Sequence, residues 1–192
     1  LRSGSINQIA IWNRMLARSA KKLMEQRLDF VEQVNIYLHD IFMELSGRSE
    51  NLILIYAPSL DSIRIDENFF FKQLENIQEK ELHQGYSILG PHRDEFHLMM
   101  DEQKDKDFFS QGEFRITNLS LNMSINRLLY ERYEFHPVLI FDDLFSELDD
   151  DVVDHVIQVL IKVNNQIFIT STSKPSYSLP GKCIKIEKGT QV

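Results

Sequence analysis

Pro137-Val138-Leu139-Ile140-Phe141-Asp142-Asp143 is the stretch that decides how this chain folds. Four apolar residues in a row predict a buried parallel strand. Two carboxylates emerge at its C-terminal end, where open α/β sheets hold their ligands. Asp142 suits Mg²⁺ held largely through water, because that ion keeps much of its hydration shell. Asp143 beside it is suited to polarise a water aimed at a terminal phosphate. Read alone, the two acids could equally cap the turn that follows, Leu144-Phe145-Ser146-Glu147-Leu148-Asp149. No Lys or Arg interrupts the acids from Asp142 to Asp154. Asp149, Asp150, Asp151 and Asp154 fit in or near the first turn of a helix, where negative charge is favoured.

Downstream, the pattern predicts a helix over Asp149–Val163, a strand over Gln166–Thr170 and another over Cys183–Glu187. Strand, helix, strand implies a parallel sheet with a right-handed crossover. Thr170 and Ser171 put hydroxyls at the end of the second strand, beside the acidic one. Upstream, Ser110-Gln111-Gly112 precedes a helix running from Gly112 to about Tyr133, with Leu121, Ile125, Leu128 and Leu129 on its apolar side. A Ser hydroxyl and backbone N–H groups at a helix start form an anion site. By itself the same Ser is an ordinary N-cap.

The first part of the chain has a different texture. No Gly or Pro falls between Ile6 and Leu45, which predicts one long helix or a helical pair stopped by Gly47. Ile9, Leu16, Leu23, Phe30 and Tyr37 recur every seven residues and mark the expected apolar stripe. Leu52–Ala57 reads as a strand, and Asp66 as the N-cap of a helix through Gln84 that Gly85 ends. Ser87–Leu89 and Phe96–Met100 read as short strands, with a charged hairpin turn over Asp101–Asp107. The division is thus a helical arm, 1–84, followed by an α/β portion, 85–192.

The chain has 192 residues, with 21 Lys+Arg against 29 Asp+Glu and a formal charge of −8. This composition excludes a disordered chain. A lone cysteine, Cys183, rules out an internal disulfide, so a reducing cytoplasm is the default compartment. No apolar run is long enough for a membrane span, and scattered histidines give no reason for a zinc site. Residues 1–27 hold six basic residues and one acid, net +5, which leaves −13 for the rest. Arg14, Arg18, Lys21 and Lys22 share one helical face. That row matches duplex phosphates and would bind in a salt-dependent way, or it is simply a solvated face. His92, Arg93 and Asp94 have two readings as well: proximity to a nucleotide, or an Arg–Asp pair that fixes the chain's path. The opening Leu1-Arg2-Ser3-Gly4 has no Met, as expected of a piece of something longer.

In this order the motifs are specific. GPHRD (90–94), SQG with Arg115 (110–115), VLIFDDLFSELD (138–149) and QIFITST (166–172) together resemble the RecF family of bacterial DNA repair and replication proteins. The heads of these ATPases are similar to those of ABC transporters and SMC proteins. The resemblance implies the C-terminal part of an ABC/SMC-like P-loop ATPase head with an inserted helical arm, which Trp12–Gly47 resembles. It implies Ser110, Gln111, Gly112 and Arg115 as the signature motif, with Asp142 and Asp143 ending Walker B. Ser146 through Asp149 would be the D-loop, and Thr170 and Ser171 the switch position. ATP and Mg²⁺ are then the expected cofactors, with Asp142 supporting the metal and Asp143 as general base. The expected partners are gapped duplex DNA, RecR, RecO and a second copy in an ATP-dependent homodimer, in recombinase loading and the SOS response. Two departures stand out. Glu113-Phe114 replace the usual pair of amides, and a carboxylate near a phosphate site would oppose anion binding unless Arg115 neutralises it. No G-x-x-x-x-G-K-[ST] occurs: Gly85 and Gly90 have the spacing but Pro91-His92 follow. The fragment alone is expected to be inactive. Two rivals are a different SMC-like or transporter head and a non-catalytic helical interaction module.

Overall fold

Helix α1 takes the expected stretch as a single element, Ser3–Ser46. It belongs to a computed structural model that describes residues 3–60, 66–101, 103–104, 109–172, 180–187 and 190–191. Gly47 ends the helix at φ +67, and its N–H donates to the Met43 carbonyl at 3.0 Å. The buried stripe, however, is not the heptad read from the sequence. Ala17, Met24, Val31, Leu38 and Leu45 are buried, together with Ala20, Val34 and Phe42. Leu16, Leu23 and Phe30 stay exposed. The covered face is rotated by one residue, about 100°, from the expected one.

Strand β1 (Leu52–Ala57) pairs antiparallel with β2 (Glu95–Met100), from Leu52 opposite Met100 to Ala57 opposite Glu95. Period-two alternation sends Leu52, Leu54, Tyr56, Leu98 and Met100 inward. The free edge of β1 is closed by a side chain: Asn35 donates to the Leu54 carbonyl and accepts its N–H, both at 2.8 Å. Helix α2 (Glu67–Gln84) has the expected caps: Asp66 accepts from the Phe69 N–H, and Gly85 sits at φ +78. The expected strand Ser87–Leu89 does not form. Instead the Glu81 carboxylate takes the Ser87 hydroxyl and the Ile88 N–H, which holds that segment as a turn. A single 3-10 turn, Pro91–Arg93, leads into β2. Strand β3 (Gln103–Lys104) folds back on β2 after Asp101 at φ +52, while 102 and 105–107 of the expected charged turn lie outside the described residues.

Helix α3 (Gln111–Tyr133) precedes β4 (Leu139–Phe141), α4 (Asp150–Leu160) and β5 (Ile167–Ile169). β4 and β5 pair in parallel, Leu139 opposite Ile167 and Phe141 opposite Ile169, so the expected β-α-β unit forms. The expectation that the acidic strand is buried fails: Ile140 is 71% exposed and Phe168 51%. Ile140 and Phe168 are register partners, so the face of this two-stranded sheet that they share is open among the described residues. The buried side of α3 also differs from expectation. Leu128 is buried, but Leu121, Ile125 and Leu129 are only partly so. Thr117, Ser120 and Ser124 are fully buried instead, each donating to a carbonyl one turn back. The last expected strand shrinks to β6 (Ile186–Glu187), paired antiparallel with β7 (Thr190–Gln191).

The chain forms two compact units, one of Leu1–His39 with Glu50–Phe108, the other of Asp40–Ser49 with Phe109–Val192. They cut across the expected seam at 84/85, because β2 pairs with β1 and carries its surroundings into the first unit. Among the described residues, no helix is long and apolar enough to cross a membrane.

Candidate functional site

Ser110 is the N-cap of α3, in extended backbone, and forms a complete capping box with Glu113. Its hydroxyl accepts the Glu113 N–H at 3.2 Å, while Glu113 Oε2 accepts the Ser110 N–H at 2.9 Å. The other carboxylate oxygen of Glu113 lies 2.6 Å from Arg48 Nη1. These bonds, Arg48 first and the Ser110 N–H second, hold the Glu113 carboxyl below the usual carboxylate range. The cation beside Glu113 is thus Arg48, from the segment after α1, and not Arg115. Arg115 reaches further and donates to the Asp143 carbonyl.

That bond joins the start of α3 to the acidic loop, and a second contact secures it. A Cβ on Gly112 would lie 2.7 Å from the Glu147 carbonyl oxygen, so only glycine permits this approach. The loop is tightly wound. Asp143 and Glu147 both have left-handed backbone, at φ +48 and +62, and Leu144 is buried between them. The Ser146 N–H donates to the Asp143 carbonyl at 3.3 Å. Asp149 is the N-cap of α4, although its side chain makes no capping bond.

Thr170 closes the other side. Its N–H donates to the Phe141 carbonyl at 2.9 Å, extending the β4–β5 ladder past the last paired strand residues. Its hydroxyl accepts the Asp143 N–H at 3.0 Å and donates to Asp142 Oδ1. One hydroxyl thus uses its donor and an acceptor on the two successive acids. The Asp143 backbone is held at N–H and carbonyl, yet no described residue bonds its carboxylate. Asp142 is exposed, with only the Thr170 hydroxyl on it among the described residues. Gln111 and Ser171 are exposed at the start of α3 and just past β5.

No group of three or more His, Cys, Asp or Glu side chains that could enclose a metal occurs among the described residues. A lone exposed carboxylate such as Asp142 does fit Mg²⁺, which takes one or two carboxylates plus waters and phosphate oxygens.

Two members of the basic row on α1 make contacts within the chain, although Arg14 is exposed. The Arg14 guanidinium lies 5.0 Å from the Phe71 ring centroid, and Lys21 pairs with Glu25 at 3.0 Å. Arg18 and Lys22 are exposed. The cluster after Gly90 resolves differently from the Arg93–Asp94 pair read in the sequence. The Asp94 side chain is fully buried and pairs with Arg27 of α1 at 2.7 Å. It also accepts the Tyr56 hydroxyl and, at 2.8 Å, the Ser59 N–H. Burial and the bond to Asp94 push the Tyr56 hydroxyl up to about 12. Arg93 and His92 turn instead to the Ser87 carbonyl.

Arg48 and Arg27 escaped the sequence reading, since their partners lie 65 and 67 residues away. The box Ser110-x-x-Glu113 was visible as a pattern.

No protein-family model matches the chain. Among curated proteins, the DNA replication and repair protein RecF of Geotalea uraniireducens (strain Rf4) is 31% identical over 188 residues, covering 94% of this chain and 51% of the relative. RecF of Bacillus mycoides is 29% identical over 168 residues, covering 85% and 44%. The chain therefore spans about half the length of the curated relatives it matches. Among solved structures, one described as the recombination mediator protein RecF-ATP in the RecFOR pathway superposes with a TM-score of 0.74. It is 29% identical and covers 97% of this chain and 50% of that one. A structure from work on ATP-driven dimerization of SMC ATPases gives 0.50 at 14% identity, over 90% and 86%, which speaks for the fold alone. The architecture is that of RecF and SMC ATPase heads, as the motifs implied.

Proposed function

We propose, from the premise that this chain is a RecF homologue along 94% of its length, that it is the C-terminal part of a DNA-binding ATPase acting in DNA replication and repair. In this reading 85–192 belong to the head and 1–84 to the arm. The observation that carries it is Asp143: its backbone is tied at both ends while no described residue bonds its carboxylate. A general base needs that combination, a fixed position and an unspent lone pair.

Asp143 would take the proton of a water aimed at the terminal phosphate of ATP. Asp142, steadied by Thr170, would hold Mg²⁺ through water, the ion neutralising charge on the phosphate oxygens. Ser110 and Gly112 would meet the nucleotide of a second copy, with Gln111 and Arg115 supporting that turn. Ser146 and Asp149 would lie along the dimer seam, and Ser171 would follow Thr170 at the switch. The phosphate-gripping Lys loop is not encoded in these 192 residues, so the activity belongs to the full-length protein, with RecR and RecO as proposed partners at gapped DNA.

Asp143→Asn in the full-length protein is expected to lower ATP turnover by at least about a hundredfold while ATP-dependent self-association persists. Turnover within threefold of wild type would refute the assignment. For DNA, the exposed pair Arg18 and Lys22 is the sharper target. Reversing both charges should weaken duplex binding and reduce the slope of log affinity against log salt by about 2. An unchanged slope would remove α1 from the DNA interface.

A further inference from the structure

We propose that Thr170 is a positioning residue: its hydroxyl sets the two acids relative to one another and is not a donor to the terminal phosphate of the nucleotide. The inference rests on the reading above, in which Asp143 is the base and Asp142 supports Mg²⁺. It adds the side chain that fixes their mutual placement, and it withdraws Thr170 from the nucleotide contacts that a switch position implies.

An ionised phosphate oxygen accepts hydrogen bonds, so a threonine recognises it only by donating. Thr170 has two donors, and both are engaged. Its N–H bonds the Phe141 carbonyl at 2.9 Å, and its hydroxyl hydrogen goes to Asp142 Oδ1. One hydroxyl lone pair takes the Asp143 N–H at 3.0 Å. The direction of this bond is forced, because an amide N–H can only donate. What remains on the oxygen is a second lone pair, which has nothing to offer an anion. Turning the hydrogen towards a phosphate would take from Asp142 its one partner among the described residues.

Both bonds act on a backbone that needs them. Asp143 holds φ +48, a left-handed conformation that a residue with a side chain keeps only where its surroundings enforce it. Arg115 bonds the carbonyl of this residue and Thr170 its N–H. Of the two, only Thr170 also bonds the carboxylate of the preceding acid, so a single oxygen sets the spacing between the metal-supporting group and the base. Its own place follows from the parallel pairing of β4 with β5, and its branched side chain is stiff at χ1. Thr170 is exposed, so exchanging its hydroxyl for a methyl alters these bonds without emptying any part of the core.

The test is steady-state ATP turnover with Mg²⁺ by the full-length protein, beside equilibrium affinities for ATP and for ADP. Thr170→Val keeps the shape of the side chain and the backbone bond to Phe141, and loses both hydroxyl bonds. It is expected to lower kcat about tenfold or more, the scale of loss when a catalytic group is displaced by about an ångström. KM and the ratio of ATP to ADP affinity should stay within about twofold, because no bond to the nucleotide is removed. Thr170→Ser keeps the hydroxyl and is expected to bring kcat back to within about threefold of wild type. A smaller loss in the valine variant, a larger change in that affinity ratio, or a serine variant as slow as the valine one each overturns the proposal. Should Thr170→Val not fold, Thr170→Ala removes the same two bonds and is read in the same way. Asp143→Asn decides the underlying reading separately. If that variant turns over ATP like wild type, the reading fails and this proposal with it; if it is slow while Thr170→Val is not, the proposal fails alone.

Discussion

Each unit of the molecule keeps an aspartate under the control of an arginine, and the two are built to opposite ends. In the first, the Asp94 side chain is fully buried, and Arg27, Tyr56 and the Ser59 N–H all bond its carboxylate. In the second, Arg115 bonds the carbonyl of Asp143, and its carboxylate is left without a described partner. A buried carboxylate is tolerable only when its lone pairs are engaged, which leaves it nothing to offer a ligand. A half-exposed one on a pinned backbone retains reactivity and costs little desolvation. Proximity of an arginine to an aspartate is thus uninformative until the bonded atom is known.

Several substitutions would break or sharpen this contrast. The largest effect is expected at Arg27→Met, which leaves Asp94 buried without its counter-charge. Loss of one member of a buried pair costs about 3–5 kcal/mol, read as a fall in the denaturation midpoint. A loss below about 1 kcal/mol would mean that Asp94 is not saturated as described. Gly112→Ala should come next, at about 1–3 kcal/mol of overpacking, since the new methyl meets the Glu147 carbonyl. Here the informative quantity is the ratio: ATP turnover by the full-length protein should fall far more than stability does. Equal losses would make the loop an ordinary packing contact.

The smallest effect is in alkali. The Tyr56 hydroxyl is raised to about 12, from an ordinary value near 10. A raised group binds its proton more tightly in the folded state. Its stabilisation is complete below about pH 10 and is lost as pH rises through about 12. Tyr56→Phe should flatten the stability profile across that window, whereas Asp143→Asn should leave it unchanged. A Phe variant that declines as steeply as wild type would show that Tyr56 is not the titrating group.

How much was legible follows from the range of the forces involved. The caps at Asp66 and Gly85 and the strand Leu52–Ala57 were read to the residue, because caps and alternation are local properties. The heptad on α1 was real as a repeat but lay on the wrong face. Ala17 and Ala20 carry only a methyl, and the half-buried Arg27 falls on the same stripe, so composition pointed one residue away. On α3 the buried surface runs through Thr117, Ser120 and Ser124, whose hydroxyls are satisfied within their own helix. Hydropathy could not announce polar residues that need no outside partner.

The sequence by itself determined the identity and order of the chemical groups: hydroxyl and glycine at a helix start, two acids after a strand, hydroxyls at the end of the next. It also determined the β-α-β connection between the last two, since these depend on neighbours a few residues apart. Tertiary structure alone decided which charge meets which. Arg48 rather than Arg115 faces Glu113, Arg27 rather than Arg93 faces Asp94, and Thr170 bridges both acids across 27 and 28 residues. Such pairings are chosen by where packed elements bring long side chains, and a guanidinium carries no local sign of which carboxylate it will reach.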